Sequence, residues 1–203
     1  MKDKFIKKYM RMAHLVANDQ NPCFSRHVGA VITTFSGSRI LGTGYNGPPP
    51  GTPHTDSLVY LRDFFWPSLT EEQKRIALAT LDQGTSGPLG PAPDLNDFLK
   101  HYVGRKICPR RIINAGSGES PHLCTCGHAE RHAITNAACD LTGAVLFLWE
   151  TSPCLQCCDA IIQAGIKRVY CLDRPHYHEK SPWLLSWGNV ELYMLEEEWI
   201  WSD

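Results

Sequence analysis

Apolar residues recur with helical spacing at the start of the chain: Phe5, Ile6, Tyr9, Met10, Ala13 and Val16 share one side, while Lys4, Lys7, Lys8 and Arg11 fall mostly on the other. A repeat of about 3.6 residues predicts an amphipathic helix packed on something apolar. After the polar break NDQNP the pattern changes to two strand-like runs, VGAVITT and RILGTGY, separated by FSGS. Two such runs around a Gly and Ser turn predict a hairpin. The prolines of NGPPPGTPH then exclude regular structure.

From Thr55 to Pro121 short helical patterns, DSLVYLRDFF, TEEQKRIALATLD and DLNDFLKHYV, are divided by Gly and Pro clusters such as GTSGPLGPAP. This stretch reads as an insertion, about 57–120, draped over a core. The second half is more orderly. It predicts a helix over about 129–139, the strand AVLFLW, a helix over about 155–164, the strand RVYCL and a final strand VELYML. Helices alternating with strands give an α/β layer fold with a hairpin at one edge.

Composition narrows the class. A chain of 203 residues buries roughly 70% of the surface its unfolded form exposes, so a single domain spanning 1–203 is expected. The net charge of -1 argues against a protein whose main task is wrapping nucleic acid, because phosphate binding is driven by Lys and Arg. The opening MKDKFIKKYMRMAHLVAND has no continuous apolar core of the kind a signal peptide carries, and no later run is long enough to span a membrane. Nine cysteines, an odd number and unevenly clustered, read as metal ligands and buried thiols in a reducing cytoplasm rather than as a disulfide framework.

The chemistry concentrates in two motifs. His128 and Glu130 sit in TCGHAERHAI, and Cys154 and Cys157 have the C-x-x-C spacing in SPCLQCC. Two thiolates on the first turn of one helix and an imidazole at the start of another supply three ligands for zinc and leave one tetrahedral position for water. Such an ion lowers the pKa of bound water from about 15.7 towards about 7. Glu130 is then placed to move protons. Alone, each motif has a plainer reading: Glu at a helix start is favoured by the dipole, and C-x-x-C also serves redox sites and structural zinc. Together, with Pro153 before Cys154, they match the H-x-E and P-C-x-x-C pattern of zinc nucleobase deaminases.

With VGAVI, GYNGPPPG, GHAERHAI, SPCLQCCDAIIQAGIKRVY and RPHYHEK, the sequence resembles the zinc-dependent cytidine deaminase superfamily, and within it the deoxycytidylate deaminases. The resemblance covers about two thirds of the chain. It implies a cytidine deaminase-like three-layer fold, a mixed five-stranded sheet flanked by helices. It also implies zinc on His128, Cys154 and Cys157, proton transfer by Glu130, and deamination of dCMP to dUMP and ammonia for dTMP synthesis. The Ala129 amide would meet the pyrimidine carbonyl and Asn46 the sugar and base.

The branch also implies a homo-oligomer, a hexamer, activated by dCTP and inhibited by dTTP. Tyr45 and Asn46 would then serve an allosteric triphosphate, with Mg2+ accompanying it. A monophosphate calls for donors, and Arg26, Tyr177 and His178 are the candidates, with solvation the alternative for Arg26. Arg105, Lys106, Arg110 and Arg111 would either reach a triphosphate or be solvated. Some phage-type relatives hold a second, structural zinc, for which Cys23, His54, His122 and Cys126 lead here, ahead of Cys108 and Cys124. Buried thiols and surface histidines are the alternative. Cys139, Cys158 and Cys171 read as core thiols.

The chain departs from the family pattern at His132, where Asn is common. Rival readings are deamination of another cytosine nucleotide, deamination of a base in tRNA or other nucleic acid, and a zinc or nucleotide-sensing module without turnover.

Overall fold

A computed structural model describes residues 1–19, 21–81, 94–103, 105–116, 119–175 and 178–203. They form two compact units, one of residues 1–22, 26–47 and 127–203, the other of 23–25 and 48–126.

In the first unit, helix α1 (Asp3–Asp19) leads into β1 (Gly29–Thr33) and β2 (Ile40–Tyr45). These pair antiparallel as a hairpin around Gly37, whose φ of 70° suits glycine. In the second, α2 (Leu58–Tyr60) runs on through a π-helical turn (Leu61–Phe65) and a 3-10 turn (Trp66–Ser68), followed by α3 (Glu71–Leu81), α4 (Leu95–Tyr102), α5 (Pro109–Ile112) and a 3-10 turn (Pro121–Leu123). The first unit resumes with α6 (Ala129–Ala137), β3 (Val145–Trp149), α7 (Leu155–Gln163), β4 (Arg168–Leu172), α8 (Ser181–Trp187), β5 (Glu191–Leu195) and α9 (Glu197–Trp201).

Among the described residues, five strands form one sheet in the order β2-β1-β3-β4-β5. β1 is antiparallel to both neighbours, and β3, β4 and β5 are parallel. Successive side chains of a strand face opposite ways, and here both faces are covered. Ile6, Tyr9, Met10 and Ala13 of α1 and Ile200 of α9 pack with Val31, Phe147 and Tyr170. On the other face Ala129, Ala133, Ile161 and Leu185, from α6, α7 and α8, pack with Ala30, Ile32, Leu146 and Leu148. This is the expected mixed sheet between helical layers, and it explains why β3 is apolar at every position rather than alternating.

Two glycines set the closeness of the layers. A Cβ on Gly29 would lie 2.1 Å from the Ala13 carbonyl oxygen of α1, and one on Gly44 would lie 2.2 Å from the Ala129 oxygen and 2.3 Å from the Ala133 nitrogen of α6. The hairpin therefore touches helix backbone on both sides, and on the α6 side this fixes the helix start that carries His128.

The second unit has its own core, in which Phe98 stacks on Trp66 and Tyr102 and packs beside Phe65. The buried Tyr60 hydroxyl donates to the Leu123 carbonyl. The three helical patterns read between Thr55 and Pro121 all fall on helical segments of this unit.

Three expectations need adjusting. The helix from Ala129 ends at Ala137 rather than at Cys139, because Ala138 adopts a left-handed conformation with φ 48°. Cys139, read as a core thiol, is consequently exposed, whereas Cys158 and Cys171 are buried. Helices α8 and α9 lie beyond the elements that the pattern predicts; Pro182 near the start of α8 is the sequence signal for the first.

Candidate active site and metal centre

Each candidate ligand sits at a helix entrance. His128 is the N-cap of α6, with φ -84° and ψ 146°, and Cys154 is the N-cap of α7, with φ -69° and ψ 165°. Their carbonyls accept the first helical hydrogen bonds, from His132 N at 3.1 Å and Cys158 N at 2.8 Å. Cys157 lies within the first turn of α7 and is buried. Two helix N-termini thus place their positive ends by the same few atoms, which favours thiolates and carboxylates there.

His128 Nδ1 is 3.3 Å from Cys157 Sγ and 3.4 Å from Cys154 Sγ. All three ligand atoms lie within 4.8 Å of one another, and among the described residues they are the group of His, Cys, Asp or Glu side chains that could hold an ion. A tetrahedral zinc with ordinary bond lengths separates N and S ligands by about 3.6 Å and two sulfurs by about 3.8 Å. The residues present therefore fit zinc.

The titration behaviour has the same origin. The Cys157 thiol donates to Cys154 and holds the Cys154 thiol down at about 4, with His128 adding to the effect. Cys157, as the donor and buried, is pushed up. His128 is raised by its hydrogen bond to Cys154. Burial raises Glu130 above the usual carboxylate range, against weaker lowering from its own backbone amide, His128 and a hydrogen bond with Cys157. A desolvated carboxyl beside the candidate ligand atoms keeps its proton to higher pH than an exposed one.

Three further contacts join the end of β2 to the start of α6. The Ala129 amide donates to Asn46 Oδ1 at 3.1 Å, His132 Nδ1 meets the Tyr45 carbonyl at 2.9 Å, and Gly127 N donates to the Gly47 carbonyl at 2.7 Å. The structure thus brings Asn46 and Ala129 together beside the metal ligands.

A match to the family model for the cytidine and deoxycytidylate deaminase zinc-binding region spans residues 3–173. The chain belongs to this family. Among curated relatives it is 28% identical over 186 residues to the deoxycytidylate deaminase of Schizosaccharomyces pombe, covering 91% of this chain and 42% of that protein. With the deoxycytidylate deaminase of Enterobacteria phage T2 it is 32% identical over 166 residues, 80% of this chain and 77% of that one. The chain thus spans less than half the length of the S. pombe protein and of its Saccharomyces cerevisiae counterpart, 42% and 38% respectively. A crystal structure of dCMP deaminase from the cyanophage S-TIM5 superposes with a TM-score of 0.56 at 20% identity, covering 96% of this chain and all of that one. The same phage enzyme in complex with dCMP and dUMP gives 0.53 at 22% identity, covering 96% and 99%. These two likenesses corroborate the fold.

The remaining sequence candidates fall in different places. Arg26 lies just before β1, half-buried, and its carbonyl accepts from Asn21 Nδ2 at 2.9 Å. Tyr177 is outside the described residues, and His178 is exposed. Arg105, Lys106 and Arg111 are exposed, while Arg110 Nη2 donates to the Gly116 carbonyl at 3.2 Å.

Of the second-zinc candidates Cys23, His54, His122 and Cys126, the four do not form a group of the spacing seen at His128. A hydrogen bond from the Cys126 thiol lowers the Cys124 thiol to about 6. His54 instead pairs with the Asp56 carboxylate at 2.5 Å, and His122 is exposed. No spacing rule marked the bond from His132 to the Tyr45 carbonyl, because it depends on how a helix lies across a strand end.

Proposed function

We propose that this chain catalyses the zinc-dependent hydrolytic deamination of dCMP to dUMP with release of ammonia, supplying the precursor of dTMP. The observation that carries the reading is the convergence of His128, Cys154 and Cys157 within 4.8 Å at two helix entrances, with Glu130 buried on the first turn of the helix that His128 caps. Zinc held by those three residues would supply an acidified water and a Lewis acid for the developing negative charge. Glu130 takes a proton from the water side of the pocket, passes it to N3 of the cytosine ring and delivers another to the departing amine. The oxygen of one water bonds to C4, its second proton goes to the amine, the C4–N bond breaks with release of ammonia, and C4 becomes a carbonyl. Burial keeps Glu130 out of bulk solvent, so it exchanges protons with the reacting groups rather than with the surroundings.

The Ala129 amide and Asn46 side chain orient the pyrimidine and sugar in this reading, and Arg26 with Tyr177 meets the phosphate. The names of the relatives support dCMP over another cytosine nucleotide or a base in nucleic acid, and the net charge of -1 points the same way. Regulation is part of the proposal: a homohexamer activated by dCTP and inhibited by dTTP, the triphosphate carried with Mg2+ near Tyr45 and Asn46.

Purified protein assayed side by side on dCMP, deoxycytidine, dCTP and tRNA, with metal analysis, tests the reading. The expected result is ammonia release from dCMP in preference to the others, with one zinc per chain. Preference for the polynucleotide overturns it. A second zinc equivalent would point back to Cys23, His54, His122 and Cys126.

A further inference from the structure

The edge strand β2 leaves carbonyls at its outer side, and α6 covers two of them with side chains one helical turn apart. Asn136 Nδ2 donates to the Thr43 carbonyl at 2.9 Å, and His132 Nδ1 meets the Tyr45 carbonyl at 2.9 Å. A carbonyl only accepts, so Nδ1 of His132 carries the proton. The other side of the ring fills the space over Gly127, where a Cβ would come 2.4 Å from His132 Nε2. Gly127 in turn exchanges backbone hydrogen bonds with Gly47. The backbone on either side of Asn46 is therefore held at Tyr45 by His132 and at Gly47 by Gly127, and the Asn46 amide itself donates to the Val28 carbonyl at 3.3 Å.

Between those two anchors the Asn46 side chain occupies the Ala129 N–H. That amide has one hydrogen to give, and the proposed reading assigns it to the pyrimidine carbonyl. Binding then requires Asn46 to give up the Ala129 N–H, which frees its carboxamide for the nucleotide.

We infer that His132 is a positioning residue: by anchoring the Tyr45 carbonyl it makes this exchange a rotation of the Asn46 side chain rather than a movement of the loop. Asn136 makes the same kind of bond to the same strand two residues further from the site, and it serves as the control. The inference rests on the reading of Asn46 and Ala129 as nucleotide-binding groups.

The zinc-loaded enzyme is compared as His132→Ala, His132→Asn and Asn136→Ala, by steady-state kinetics on dCMP and by amide hydrogen exchange. Losing one hydrogen bond that holds the loop is expected to raise KM for dCMP about tenfold in His132→Ala, with kcat changed far less. Protection of the Asn46 and Gly47 amides should fall about as much. The Asn carboxamide nitrogen sits at the same bond separation from Cα as His Nδ1, so His132→Asn should restore both values. Asn136→Ala should stay within about twofold of wild type in kcat/KM while losing comparable stability. Unchanged protection of Asn46 and Gly47 in His132→Ala overturns the inference, as does an equal KM effect from Asn136→Ala. A wild-type protein inactive on dCMP refutes the substrate reading alone, and the exchange measurement still decides the role of His132.

Discussion

The Cys157 thiol donates to Cys154, so two cysteines three positions apart carry opposite tendencies: Cys154 is held as a thiolate with a pKa of about 4, and Cys157 is held as a thiol. In zinc-free protein at mildly acidic pH, iodoacetamide should therefore modify Cys154 and spare Cys157, since the thiolate is the nucleophile. The exposed Cys139 gives an internal reference. Zinc should protect both ligand cysteines and leave Cys139 labelling unaltered. Peptide mapping checks this, and equal modification of Cys154 and Cys157 would refute the assigned charge states. Because the Cys154 pKa is lowered on folding, its contribution to stability is complete above the unfolded thiol value of about 8.5 and is lost as pH falls through the folded value.

Gly44 and Gly29 both press on helix backbone, but against different helices. Gly44→Ala should cost about 3 kcal/mol or more, at or beyond the upper end for overpacking, because the obstruction is main chain and cannot rotate away. It should also displace the start of α6 and with it His128. Gly29→Ala should destabilise comparably through α1 while leaving zinc content per folded chain near wild type. Denaturant midpoints and metal analysis separate the two effects. Normal zinc retention in folded Gly44→Ala would show that the β2 contact does not set the α6 entrance.

The strands and the two ligand helices were legible because each carries its own local signal: β-branched runs bounded by turn residues, and motifs at helix entrances. The layers followed from the α/β alternation. Helix α9 was missed because a segment of five residues is too short for periodicity to declare itself. Cys139 was misplaced because the left-handed Ala138, which ends the helix, carries no Gly or Asn marker. In the site, the candidate zinc ligands were readable from the two motifs taken together. The hydrogen bonds of Asn46 and His132 were not, since they depend on the close approach that Gly44 permits between two segments far apart in the chain.

The proposed allostery makes a kinetic prediction. Initial rates against dCMP should be sigmoidal without effector and hyperbolic with dCTP, while dTTP should shift the midpoint to higher dCMP. Tyr45→Ala should weaken the response to triphosphates more than it lowers zinc content, since Tyr45 is not among the metal-holding group. Hyperbolic kinetics unaffected by either triphosphate, in protein shown to be oligomeric, would remove regulation from the proposal.

Glu130→Gln is the sharpest test of the chemistry. Gln keeps the shape and the buried position but carries no transferable proton, so kcat/KM on dCMP should fall by about 100-fold to 10,000-fold. Zinc content should be unchanged, because Glu130 is not one of the three grouped ligands. Retained turnover within a few fold of wild type would sink the proposed proton path. The same variant has a stability signature in zinc-free protein. Burial raises the Glu130 pKa, so the folded state holds its proton where the unfolded state, with an ordinary value of about 4.3, has released it. Wild type should accordingly lose stability relative to Glu130→Gln as pH rises above the unfolded value, levelling off beyond the folded one. Denaturant unfolding of the two proteins across that range reads the difference, and parallel curves would show that the carboxyl is not desolvated in the folded chain.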